Sequence, residues 1–317
     1  GVQEQVFGLL EAQLPPGSVV HTVDDAVQGA VSLSLFIRQG RGDMSSRVPA
    51  DIVMAHGIAD KRYFFIQDSA TGKPLANEYD YLFVPGDWHV NRLVESRYRR
   101  NPGWQITLLD EQIVKVGWLR LDPLLRQART AADGDGRAHH RLRVLWAPTH
   151  NMVRGGNEES VPSSYPAFKV HEDDITPFFR YQVSLHPRNR ASKRPTGGQL
   201  VWADVLVSDF GTMVYEAWAM GKPVIFPRWC IDVDTILTRN PRSAEAYIYR
   251  NRIGLHAESI EEMQAMLLRI QQQAIGGRWR RLAKRLVLSR RPARSVADLR
   301  GPGVAEFIDH YVDPAHR

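Results

Sequence analysis

The sequence predicts an α/β protein built from two doubly wound domains, each around a parallel sheet. Short β-rich runs alternate with longer amphipathic stretches along the whole chain. Several of those runs are continuously apolar rather than alternating, as strands covered on both faces must be. At 317 residues the chain also has the length of two ordinary domains. Hydrophobic residues at 43% and charged residues at 24% exclude a disordered chain.

Taken in order, residues 18–23 read as a first strand and residues 50–55 as a second, bounded by His56 and Gly57. Residues 81–84 form a strand ending at Pro85-Gly86, and a helix follows from about Trp88 to Arg99. Residues 113–116 are a strand stopped by Gly117. The polar run 131–138, rich in Gly, Asp and Ala, reads as a linker or surface loop. It separates an expected first domain, 1–130, from a second, 131–317. Beyond it, residues 143–147, 182–185 and 204–207 read as strands, 214–220 as a helix and 222–226 as a further strand.

The net charge of +6 is uneven. Residues 278–300 hold nine Lys/Arg against one Asp, a local +8, which leaves −2 for the rest. A generally basic nucleic-acid-coating protein is therefore disfavoured, and one local anionic contact is expected. Trp279, Leu282 and Leu286 share a helical face, with Arg280, Arg281, Lys284 and Arg285 off it. That pattern suits either a helix lying on an anionic bilayer or a solvated helix packed on its own domain. The longest apolar runs fall far short of a membrane span, no basic-plus-apolar leader opens the chain, and Cys230 is the single cysteine. The expectation is a cytoplasmic protein, peripheral at the inner face of the membrane.

In open parallel sheets the ligand sits outside the carboxyl ends of the strands. Those ends carry His56-Gly57, His186 and the stretch from Ser208 to Thr212. A strand-end imidazole can take a proton from a hydroxyl near neutral pH, or serve only as a local backbone cap. His186 is followed by Arg188, Arg190, Lys193 and Arg194, donors suited to a diphosphate. Ser208-Asp209-Phe210-Gly211-Thr212 runs from a strand into a helix, whose free N–H groups and dipole favour phosphate. Ser208 and Thr212 add hydroxyls, or else cap the helix. Glu216, one turn on, has the reach for ribose hydroxyls. Asp232-Val-Asp234 has the form of a metal-binding pair but lies downstream of the nucleotide motif. No metal or cofactor is expected, and His139, His140, His150 and His171 read as ordinary surface histidines.

These motifs resemble the CDP-glycerol glycerophosphotransferase family of teichoic-acid and capsule polymerases. Ser208, Asp209 and Thr212 match the family's Ser-Asp-Tyr-Ser-Ser stretch, with Glu216 at its acidic position, and Lys222-Pro223 opens the following strand. His56-Gly57 and Lys61 resemble its His-Gly-Thr-Pro-Leu-Lys. The segment 115–122 resembles its Gly-x-Pro-Arg-x-Asp, and 144–149 its Tyr-Ala-Pro-Thr strand. Ile58-Ala59-Asp60 and Phe210-Gly211 depart from the pattern. The resemblance spans residues 50–230. It implies a GT-B fold, two Rossmann-like domains facing a cleft, with a final helix near 304–312 crossing back to the first. It further implies a metal-independent transferase of glycerol phosphate, or a related polyol phosphate, from a CDP-linked donor to a lipid-linked or surface glycan. His56 becomes the base, and Gly57 and Lys61 acceptor or phosphate contacts. His186 becomes the second catalytic residue, stabilising the diphosphate and the leaving phosphate, and Arg188, Ser208, Asp209, Gly211, Thr212 and Glu216 form the donor site. A glycosyltransferase or epimerase using a UDP- or CMP-sugar on the same fold stays open, as does a nucleic-acid-binding protein.

Overall fold

The computed structural model describes residues 2–17, 31–35, 50–55, 57–60, 63–134, 141–151, 162–189, 196–275 and 298–312. The expected strand at 18–23, His56, Lys61 and the basic segment from Trp279 to Arg285 lie outside them. Two compact units divide the chain: Gly1–Asp122 with Asp309–Arg317, and Pro123–Ile308.

The first unit carries α1 (Val2–Glu11), β1 (Ser32–Ser34), β2 (Asp51–Met54), β3 (Tyr81–Val84), α2 (Asp87–Ser96) and β4 (Ile113–Lys115). Its strands stand in the order β1-β2-β3-β4, all parallel, with Ile52 opposite Tyr81 and Leu82 opposite Ile113. Val53, Leu82, Val84, Leu93 and Ile106 are at most 2% exposed and form its core. Helix α2 buries His89, Arg92, Leu93 and Ser96, spaced i, i+3, i+4, i+7 along one face.

Helix α3 (Leu121–Gly134) opens the second unit from Pro123. It runs through residues 131–134, where the polar composition pointed to a loop. Two alanines favour helix there, and Gly134 falls at the helix end, where glycine is tolerated. There follow β5 (Arg143–Trp146), α4 (Glu172–Ile175), β6 (Arg180–Val183), α5 (Gly197–Trp202), β7 (Val205–Val207) and α6 (Thr212–Ala219). The unit continues with β8 (Val224–Pro227), α7 (Val233–Arg239), α8 (Ala244–Asn251), β9 (Leu255–Ala257), α9 (Ile260–Ile275) and α10 (Val304–Tyr311). The sheet order is β6-β5-β7-β8-β9, again all parallel. Val144, Val205, Val207 and Ile225, all at 0%, fill its centre. Lys222, in the turn before β8, donates to the carbonyls of Leu200 (2.8 Å), Val201 (2.8 Å) and Ala203 (2.5 Å) at the end of α5. A lysine there satisfies carbonyls that a helix end otherwise leaves bare. Of α10, the residues up to Ile308 belong to the second unit and the remainder to the first.

Candidate functional site

In the second unit the chain leaves β5 for β6 on one side and then β7 on the other, so the order reverses between β5 and β7. A crevice at such a reversal is where open α/β sheets bind ligands. The ends of three neighbouring strands meet there: Thr149 and His150 after β5, His186 after β6, and Ser208 to Thr212 after β7.

Asp209 organises this edge. Its carboxylate is fully buried. Oδ1 accepts from the backbone N–H of Thr149 (2.8 Å) and of Phe210 (2.7 Å). Oδ2 accepts from the N–H (2.7 Å) and hydroxyl (3.0 Å) of Ser164, and Ser163 Oγ lies 3.3 Å away. Burial pushes the Asp209 carboxyl up, while these hydrogen bonds act to hold it down. The Asp209 carbonyl accepts from Tyr249 Oη at 2.6 Å. Three loops are thus held by one side chain, and its acceptor sites are turned inward.

Ser208 is also occupied internally. Its hydroxyl donates to the Ala147 carbonyl at 2.6 Å, which ties the end of β7 to the end of β5. It therefore does not cap α6. The N-cap is Gly211, with no side-chain hydrogen bond of its own. Gly211 sits at φ 117°, ψ 177°, a region open essentially only to glycine. A Cβ there would meet nothing within 4 Å, so torsion rather than crowding selects the residue. Thr212 begins α6 half-exposed, and Glu216 lies in its interior face at 1% exposure.

His186 is half-buried and its Nδ1 accepts from the Arg188 N–H at 3.2 Å. In the neutral ring this leaves the proton on Nε2. The Arg188 side chain is exposed. His150, expected as an ordinary surface residue, is half-buried with its ring 4.9 Å from His186, edge to face at 61°. The strand-end rule finds His150 as readily as His186; the motif reading stopped one residue short, at Thr149.

In the first unit, the loop after β2 is described on both sides of His56 but not at it. Asp60, 5% exposed, pairs with Arg92 from α2 and accepts from Trp88 Nε1 at 3.0 Å. Tyr311 Oη donates to the Ile58 carbonyl. Gly57 is half-exposed between these anchors and β2. His89 packs on the Tyr311 ring at 4.8 Å, and burial pushes its pKa down to about 3. Lys115 pairs with Asp87 at 2.8 Å. Asp60 and Arg92 were not singled out by sequence: a buried ion pair between residues 32 apart leaves no local pattern.

Asp232 caps α7, accepting from Thr235 N–H at 3.0 Å and its hydroxyl at 2.6 Å. Among the described residues no three His, Cys, Asp or Glu side chains come together as metal ligands. No described helix is long and apolar enough to cross a membrane.

No protein-family model matches the chain, and no curated protein matches it. Among solved structures it is similar to the wall teichoic acid polymerase TagF, at 14% identity and a TM-score of 0.43, over 72% of this chain and 62% of that one. A TagF variant soaked with CDPG gives 12% identity and a TM-score of 0.48, over 81% and 72%. The chain thus spans under two thirds of the first of these. At such scores the likeness does not establish a shared fold.

Proposed function

We propose that the chain is a transferase that moves glycerol phosphate, or a related polyol phosphate, from a CDP-linked donor to a hydroxyl of a lipid-linked or surface glycan. The observation that carries the reading is the Ser208–Thr212 turn. A strand end, a torsionally obligate glycine and an uncapped helix start follow one another at the point where the sheet order reverses. The family resemblance of residues 50–230 supplies the chemistry.

In this reading the acceptor hydroxyl attacks the donor's β-phosphorus. A P–O bond forms, the bond to the CMP oxygen breaks, and CMP leaves with the electron pair. His56 accepts the hydroxyl proton, and Gly57 and Lys61 sit on the acceptor side. The α6 amides, Thr212, His186 and Arg188 receive the diphosphate charge. Asp209 and Ser208 hold the turn in shape from within. Glu216 meets the ribose only after turning its buried carboxylate outward. No step calls for a metal, because helix dipole and basic side chains meet the anion. Trp279, Arg280, Arg281, Lys284 and Arg285 hold the protein on an anionic inner membrane face, near its lipid-linked acceptor.

The test is a donor panel with the purified full chain, read as release of free nucleotide, CMP from CDP-glycerol or UDP from a UDP-sugar. CMP released from CDP-glycerol, with no release from UDP-sugars, is the expected result. Turnover of a UDP-sugar with none of CDP-glycerol would replace this reading with the glycosyltransferase one.

A further inference from the structure

The sheet places a residue between the two halves of the donor site, and that residue is His150. The ends of β6 and β7 stand two strand spacings apart, about 10 Å, with the end of β5 in the gap. A diphosphate that reaches from the start of α6 to His186 must pass over that end. What β5 presents there is Thr149 and then His150.

His150 is also held from both sides. On the β7 side, the preceding Thr149 N–H is bound by Asp209. On the β6 side, the following residue, Asn151, accepts from the Asn189 side chain, two residues beyond Pro187. The Arg188 N–H bonds His186 Nδ1 and fixes the orientation of that ring beside the end of β5. His150 meets that ring edge to face at 4.9 Å.

We propose that His150 is a second imidazole donor to the diphosphate of the nucleotide substrate, paired with His186. The proposal rests on the nucleotide reading above and names a contact in it. The alternative is a packing role, in which His150 only buttresses the His186 ring.

Calorimetric titration of the full chain with CDP, cytidine and inorganic pyrophosphate separates these. His150→Ala is expected to weaken CDP and pyrophosphate about 10-fold or more, the loss of one charge-assisted hydrogen bond. Cytidine binding should be unchanged, and His150→Gln, which keeps an N–H donor, should recover part of the loss. Equal weakening of cytidine, or no weakening of CDP and pyrophosphate, overturns the proposal. So does failure of both variants to fold, which assigns His150 to packing. A parent that binds pyrophosphate through His150 but shows no preference for cytidine nucleotides keeps the phosphate contact and overturns the CDP reading instead. A parent that binds neither pyrophosphate nor CDP removes both.

Discussion

Asp209 and Thr212 lie three residues apart in one turn, yet the fold uses them in opposite ways. Asp209 faces inward and accepts from three backbone N–H groups and the Ser164 hydroxyl. Asp209→Ala strands those donors in a dry interior, where each costs about 1–3 kcal/mol. We expect unfolding free energy to fall by roughly 3 kcal/mol or more, and nucleotide binding to fail with it. Thr212 is half-exposed at the start of α6. Thr212→Ala should leave stability within about 0.5 kcal/mol and weaken CDP binding several-fold. Urea titration beside nucleotide titration checks both. A stable Asp209→Ala protein that has merely lost affinity would make Asp209 a direct ligand contact and reverse this assignment.

At the scale of elements, α2 shows what a buried face does to titration. It turns His89, Arg92, Leu93 and Ser96 inward. His89 is held neutral, its pKa pushed down to about 3 by burial, against about 6.5 in the unfolded chain. The unfolded state therefore takes up a proton below pH 6.5 that the folded state refuses, and stability falls as pH drops from about 6.5 towards 3. His256, pushed down to about 4 chiefly by burial, adds in the same direction. Burial pushes the Asp209 carboxyl up, so its contribution works the other way in the acid range. Comparing His89→Phe with the parent isolates one group: the variant should lose less stability between pH 6.5 and 4. Parallel curves would show that His89 takes up its proton alike in the folded and unfolded chain. The elements themselves were legible unevenly. β3 and β5 follow the sequence reading closely because their apolar runs are cut by Pro85-Gly86 and Pro148. β6 lies two residues earlier than read. As an edge strand it alternates between exposed and half-buried, so Arg180 and Gln182 are tolerated and Ser184 and Leu185 belong to the turn. β1 and β9 were missed, each three residues long, the latter with a buried histidine at its centre. The site's strand-end residues could be found from chain order, but Asp60–Arg92 and the Asp209 brace could not, since both depend on contacts distant in sequence.

At the scale of the whole molecule, the chain ends in a unit other than the one it has just built. Residues from Asp309 onward count with the first unit, although α10 begins in the second. Tyr311 and Val312 are fully buried. Tyr311 packs on His89 and Trp88, donates to the Ile58 carbonyl, and its own carbonyl lies so close to Gly86 that a Cβ there would collide with it. Ile58 is two residues past His56 in sequence, so this contact fixes the described chain just beyond that position. Ending the chain at Ile308 removes a buried aromatic, at about 3–5 kcal/mol, from a unit of about 130 residues, where each kcal/mol moves the melting temperature by about 3–6 °C. The second unit keeps the sheet core around Val144, Val205, Val207 and Ile225. In calorimetry the truncated chain should show one transition lowered by more than about 10 °C and one nearly unmoved. Transfer activity should be lost while CDP binding to the second unit persists. If both transitions fall together, or if CDP binding goes with activity, the C-terminal residues serve the whole chain rather than the first unit, and Tyr311 loses its place as an anchor specific to the chain just beyond His56.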